Sequence, residues 1–131
     1  MADRVITAAW QGDFRVDVTA GAFDLRVDEP ARVGGTDTGP QPTDLLLASV
    51  ASCMVLSVAY SARKRGIELS RIDVTVGGNY QGPRFRAVEV IVSTDAPADV
   101  VDGLMASAQR VCYVTNTLRE PPEITVVHQA V

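Results

Sequence analysis

Two cysteines, Cys53 and Cys112, carry the only thiols in the chain, 59 residues apart. Cys53 lies in Leu45-Leu46-Leu47-Ala48-Ser49-Val50-Ala51-Ser52-Cys53-Met54-Val55-Leu56, and Cys112 in Ala108-Gln109-Arg110-Val111-Cys112-Tyr113-Val114-Thr115. Both surroundings are apolar and helical in pattern. A thiol does nucleophilic work only as a thiolate, and apolar burial opposes that form. A reactive cysteine in such a place therefore needs a cation or hydrogen-bond donors beside it. Two thiols in matching settings suggest a redox dithiol; free cysteine is also a common small core residue, and that alternative stands for Cys53. A disulfide requires Cα atoms within about 7 Å, which spacing alone does not settle. Metal chemistry finds little support: His128 is the single histidine, and no C-x-x-C or H-x-x-x-H occurs. Neither G-x-S-x-G nor G-x-x-x-x-G-K-[ST] is present, which argues against a serine-hydrolase elbow or a phosphate loop.

A length of 131 residues fits one domain with a core of its own, so the cysteines are not needed as staples. The chain is 47% hydrophobic but only 5% aromatic, so the core is expected to be Val, Leu and Ala. A net charge of −4 without a basic patch argues against nucleic acid and anionic membranes as partners. No apolar run is expected to reach the roughly 18 residues that span a bilayer. The opening Met1-Ala2-Asp3-Arg4 has no signal-peptide pattern, so a cytoplasmic location is expected, where thiols stay reduced.

The elements that must position the thiols follow from periodicity. Residues 4–10, 14–19 and 23–27 read as strands, with Phe14, Val16 and Val18, then Phe23, Leu25 and Val27, on one face. Arg15, Asp17, Asp24 and Arg26 should point the other way. The stretch 28–41 holds Pro30, Gly34, Gly35, Gly39 and Pro40, too dense in breakers for a regular element and long enough to be functional. A helix over 43–65 follows, with Pro42 at its start, Asp44 at its positive end, Arg63, Lys64 and Arg65 in its last turn and Gly66 as stop. Its apolar residues run nearly all round, which predicts a buried central helix. A second hairpin (72–80 and 85–93) precedes a helix over 98–111 with Asp95 as candidate N-cap. A short turn or helix at 113–118 and a last strand at 123–128 close the chain. The order predicts α+β: antiparallel sheets with two main helices.

The run Gly34-Gly35-Thr36-Asp37-Thr38-Gly39-Pro40-Gln41-Pro42-Thr43-Asp44-Leu45-Leu46-Leu47-Ala48-Ser49-Val50-Ala51-Ser52-Cys53 resembles the OsmC/Ohr family, the osmotically induced and organic hydroperoxide resistance proteins. The pattern is a Gly-rich loop, then Pro-x-(Glu)-Leu-Leu-x-Ala leading to a cysteine in the central helix. A second cysteine at the end of the second helix matches Cys112. The resemblance spans nearly the whole chain as one OsmC-like domain. It implies an intertwined homodimer with the long helices inside. It also implies a thiol peroxidase of oxidative-stress defence that needs no metal or prosthetic group. Cys53 would attack the hydroperoxide and become a sulfenic acid, Cys112 would condense with it to a disulfide, and a dithiol, lipoyl-type in one branch, would reset the pair.

The chain departs from that pattern around the thiols. Thr43 occupies the glutamate position of the hydroperoxide branch, with Asp44 next to it. Nine helical residues turn through about 900° and rise about 13 Å, so Asp44 faces away from Cys53 along a straight helix. The family's thiolate-holding arginine has three candidates, Arg15, Arg26 and Arg32, and Tyr113 stands where proline often follows the second cysteine. Two functions are thus carried forward: a cysteine-based peroxidase for organic hydroperoxides, or a non-enzymatic dimer that binds a small apolar ligand or senses redox state through its thiols.

Overall fold

A computed structural model describes residues Met1–Val131. The order is β1 (Thr7–Trp10), β2 (Val16–Ala20), β3 (Phe23–Val27), α1 (Pro42–Lys64), β4 (Ile72–Tyr80), β5 (Phe85–Thr94), α2 (Val101–Val111) and α3 (Tyr113–Arg119). Strands pair antiparallel as β1-β2-β3 in one sheet and β4-β5 in another. The α+β class expected from the sequence is the one observed. The chain divides into two compact units, Met1–Leu47 and Ala48–Val131.

In the first unit, β2 and β3 turn at Gly21-Ala22, where Gly21 takes φ +62° and Ala20 pairs with Phe23. The alternation places Asp17 opposite Arg26, and Arg26 Nε donates to Asp17 Oδ1 at 3.1 Å. Segment 28–41 is not wholly irregular, because Ala31–Val33 forms a single 3₁₀ turn closed by Gly34 at φ +98°. Its path brings the chain onto itself. A Cβ on Gly35 would lie 1.9 Å from the Glu29 carbonyl oxygen, so only glycine fits there.

At the centre of this segment Asp28 is fully buried. Its carboxylate accepts from the amides of Glu29, Thr36 and Thr38 and from the hydroxyls of Thr36 and Thr38. These bonds, led by the two threonine hydroxyls, hold Asp28 well below the usual carboxylate range despite the opposing cost of burial. The dense glycines and prolines therefore do not leave a slack loop; they let five donors converge on one anion.

Pro42 begins α1, as the sequence predicts, with Asp44 in the first turn and Arg63 and Lys64 in the last. The helix ends in a Schellman motif: Gly66 N–H donates to Arg63 and Ile67 N–H to Ala62, with Gly66 at φ +69°. One expectation about α1 is corrected. It is long and apolar enough to cross a membrane by length and composition, 23 residues with a mean hydropathy of 1.9 in its most apolar window. Within the single chain Val50, Met54, Ser57, Val58, Ser61 and Ala62 are buried, whereas Leu46, Leu56 and Tyr60 are exposed.

The second unit buries one face of α1 in a core of Met54, Val58, Ala62, Leu104, Ala108 and Cys112, with Ile72, Val74, Val90 and Val92 of the hairpin packed against it. Period-2 alternation puts those strand residues on one face, in a register pairing Val74 with Val92 and Val76 with Val90. At the hairpin end, Tyr80 and Phe85 stack with centroids 4.8 Å apart.

Asp95 does not cap a helix. α2 begins later than expected, at Val101, with Val100 as an N-cap that makes no side-chain bond. Asp95 instead accepts from Ser70 N–H and Oγ–H and from Arg71 N–H, which hold its pKa down at about 2. A local capping signal has lost to a tertiary partner 25 residues upstream. The expected strand at 123–128 is also absent: the segment forms no ladder within the chain, and Ile124, Val126 and Val127 are exposed. Alternation makes a segment ready to be a strand, but only a partner edge makes it one.

Candidate functional site

Cys53 occupies the middle of α1, and Cys112 the single residue between α2 and α3. Cys112 has extended backbone (φ −79°, ψ 101°), so the helical path breaks there and its carbonyl becomes the first acceptor of α3, taking the Asn116 N–H at 3.0 Å. This break turns the Cys112 side chain into the core, where it is completely buried, while Cys53 is half-buried and packs against the same core cluster. Both thiols are free, Cys112 within the core cluster and Cys53 packed against it. The sequence leaves open whether the two thiols meet in space; in the fold both border one core cluster.

Two residues that sequence reading passed over complete the surroundings. Ser57, one turn after Cys53, is buried and donates its hydroxyl to the Cys53 carbonyl at 2.7 Å. Thr115, three residues after Cys112, is buried and donates to the Cys112 carbonyl at 3.4 Å. Burial pushes the Cys112 thiol up, but bonds from the Thr115 hydroxyl and amide, then from Cys53 and Ser57, outweigh it, so its pKa lies below the ordinary thiol value. The signal for both residues was present as spacing: hydroxyls at i+4 and i+3 from the cysteines face the same way on a helix.

A cavity of about 380 Å³ is walled by Met54, which follows Cys53 in the chain, and by Val90, Val92 and Met105, with Gln109, Thr115 and Arg119 as its polar lining. Arg119 donates to Gln109 Oε1 at 3.4 Å. Apolar walls with few polar groups suit a small organic molecule. No three His, Cys, Asp or Glu side chains gather to hold a metal ion.

The remaining candidates belong to the first unit or to the start of α1. Arg26 is committed to Asp17, and Arg15 lies 3.8 Å from Asp13 with its buried Nε lacking a hydrogen-bond partner. Arg32 sits in the exposed 3₁₀ turn. Asp44 accepts from Gln41 Nε2 at 3.5 Å, which ties it to the residue before the helix.

Comparison with known proteins agrees with this architecture. An uncharacterized protein from Haloferax volcanii is 24% identical over 99% of each chain. The OsmC-like protein of Mycoplasma pneumoniae superposes with a TM-score of 0.80 at 18% identity, covering 92% of this chain and 89% of its own. OhrB of Bacillus subtilis, an organic hydroperoxide resistance protein, superposes with a TM-score of 0.63 at 24% identity, covering 88% and 90%. The profile of the OsmC-like proteins matches residues 35–127, from the Gly-rich segment through α3, and the chain belongs to that family.

Proposed function

We propose that this protein is a cysteine-based peroxidase that reduces organic hydroperoxides, with Cys53 as the attacking sulfur and Cys112 as the resolving one. The observation that carries the reading is a pair of free thiols at one core cluster, one half-buried and one fully buried, near an apolar-walled cavity lined by Met54 and Thr115. Membership in a family with hydroperoxide resistance proteins among its structural neighbours supports it. In the cycle, Cys53 thiolate takes the distal peroxide oxygen and releases an alcohol. Cys112 then displaces hydroxide from the sulfenic acid, and an external dithiol, lipoyl-type in the nearest analogy, reduces the disulfide. The working unit in this reading is a homodimer, because Leu46, Leu56 and Tyr60 leave apolar surface on α1 for a second copy to cover.

Consumption of cumene hydroperoxide with a dihydrolipoyl reductant tests this, wild type beside Cys53→Ser and Cys112→Ser. Turnover should fall to the uncatalysed background in Cys53→Ser. Cys112→Ser should consume one equivalent and stall as a sulfenic acid. Full consumption by Cys53→Ser would overturn the assignment. An inactive wild type across reductants would return the protein to ligand binding or redox sensing.

A further inference from the structure

We propose that Met105 is an oxidation site, where an organic hydroperoxide held in the cavity turns the thioether into a sulfoxide whose oxygen Gln109 and Arg119 receive. The inference rests on the peroxidase reading for the identity of the oxidant; it needs no step at either cysteine.

Two of the chain's three methionines, Met54 and Met105, line the same cavity of about 380 Å³, and the third, Met1, lies at the exposed terminus. Val88, Val90 and Val92 supply more of the apolar wall. A hydroperoxide with an apolar body gains by leaving water for such walls, which holds its O–O bond beside the sulfurs above the bulk concentration. A thioether carries its lone pairs without losing a proton, so it is ready for oxidation at any pH.

The two sulfurs differ in their surroundings. Met54 is 5% exposed and belongs to the core cluster with Val58, Leu104 and Ala108. A sulfoxide oxygen there would be a buried acceptor among hydrocarbon, which is costly. The buried hydroxyl of the lining, Thr115, already donates to the Cys112 carbonyl. Met105 is half-buried and packs against the cluster. One helical turn on, the Gln109 side chain folds back toward it. Gln109 Nε2 donates to the Met105 carbonyl at 3.4 Å, and Gln109 Oε1 accepts from Arg119 at 3.4 Å. Residues four apart share a helix face. The second N–H of that amide and the remaining N–H groups of the guanidinium are thus donors on the polar side of the same cavity. A thioether is a weak acceptor and uses them little. A sulfoxide oxygen uses them well.

The step balances. The Met105 sulfur attacks the distal peroxide oxygen, forming S–O and breaking O–O. The hydroxysulfonium so formed gives its proton to the departing RO⁻, leaving a sulfoxide and ROH. Sulfur is oxidised by two electrons and the peroxide is reduced by two. Charge building on the RO oxygen is stabilised by the same donors. The product puts a polar, chiral group where an apolar wall stood. The cavity then loses its hold on apolar ligands, so an excess of hydroperoxide closes its own site until a methionine sulfoxide reductase restores the thioether.

Peptide mass mapping after treatment with cumene hydroperoxide, without reductant, tests this, with N-acetylmethionine amide in the same tube as a free thioether. Met105 should gain oxygen at least about tenfold faster than the free thioether, the enrichment expected from burying an aromatic ring, and ahead of Met54. Hydrogen peroxide has no apolar body and should oxidise the free thioether first. Gln109→Leu should slow the reaction of Met105 with cumene hydroperoxide severalfold. Cumyl alcohol, the inert product, should bind treated wild type severalfold more weakly than untreated, and Met105→Leu equally before and after. A Met105 no faster than the free thioether with cumene hydroperoxide would overturn the proposal. So would a Met54 that leads, a Met105 that leads with hydrogen peroxide, an unchanged rate in Gln109→Leu, or unchanged binding of cumyl alcohol by treated wild type. No turnover is read, so an inactive enzyme sinks the function above while this site stands or falls on the sulfoxide map.

Discussion

Asp28 and Cys112 present the same device in the two halves of the chain. Each is a potential anion with no exposed surface, ringed by threonine hydroxyls and backbone amides, and each has its pKa held down by those donors against the cost of burial. The difference lies in who donates. Around Asp28 the donors are Glu29, Thr36 and Thr38, none of which can lose a proton at working pH. Around Cys112 one donor is Cys53, a thiol. The first ring fixes a charge and so fixes a loop; the second surrounds one thiol with a second thiol among its neighbours. The two rings differ less in how the buried group is held than in the chemistry of the neighbours that hold it.

The largest effect that sharpens this contrast is expected from Asp28→Ala. It strands three amides and two hydroxyls in a segment folded around their acceptor, and buried unsatisfied donors carry the full cost of desolvation. The melting temperature should fall by several degrees and limited proteolysis should begin within 28–41, while the thiolate titration of the second unit stays unchanged. A coupled shift in that titration would break the separation between the two rings.

The pH dependence of stability should next distinguish them. The folded pKa of Asp28 and Asp95 is depressed, so their contribution is complete above the unfolded carboxylate value and lost as pH falls toward the folded one, at about 2 for Asp95. Cys112 is also depressed, so its contribution is complete only above the unfolded thiol value of about 8.5 and shrinks as pH falls through its folded value. Denaturant midpoints should therefore drop in acid for every variant. They should rise from neutral to alkaline pH in wild type but not in Cys112→Ser.

The smallest effect is expected at Asp17, an acid whose partner is exposed. Its pair with Arg26 leaves both side chains about half exposed, and such pairs contribute about 0–1 kcal/mol. Asp17→Ala should shift the denaturant midpoint by no more than that. A loss equal to that of Asp28→Ala would show that neither burial nor the donor ring sets the cost.

Much of this was legible in the sequence, and the failures have a common cause. The second hairpin, the Pro42 start and Gly66 stop of α1 and the two cysteines were read from local chemistry, since pleat, cap and helix period act over a few residues. What was missed depends on residues far apart. Asp95 looked like a cap until Ser70 and Arg71 claimed it. The alternation at 123–128 marks a strand but cannot supply the edge it pairs with. Thr36 and Thr38 stood plainly in the Gly-rich segment, yet only the fold shows that they face Asp28. Ser57 and Thr115 were passed over in the same way, as small residues on helices, until the fold tied each to a cysteine carbonyl.

The distance along the chain between Cys53 and Cys112 has one further consequence. A bond between these sulfurs would close a loop of 59 residues. In the loop-entropy account, closing a ring of that size takes roughly 4 kcal/mol of freedom from the unfolded chain. Each oxidation would then also be a tightening, and each reduction a loosening. Heat resistance would rise and fall with the cycle, making the melting curve a record of how recently the protein had met an oxidant.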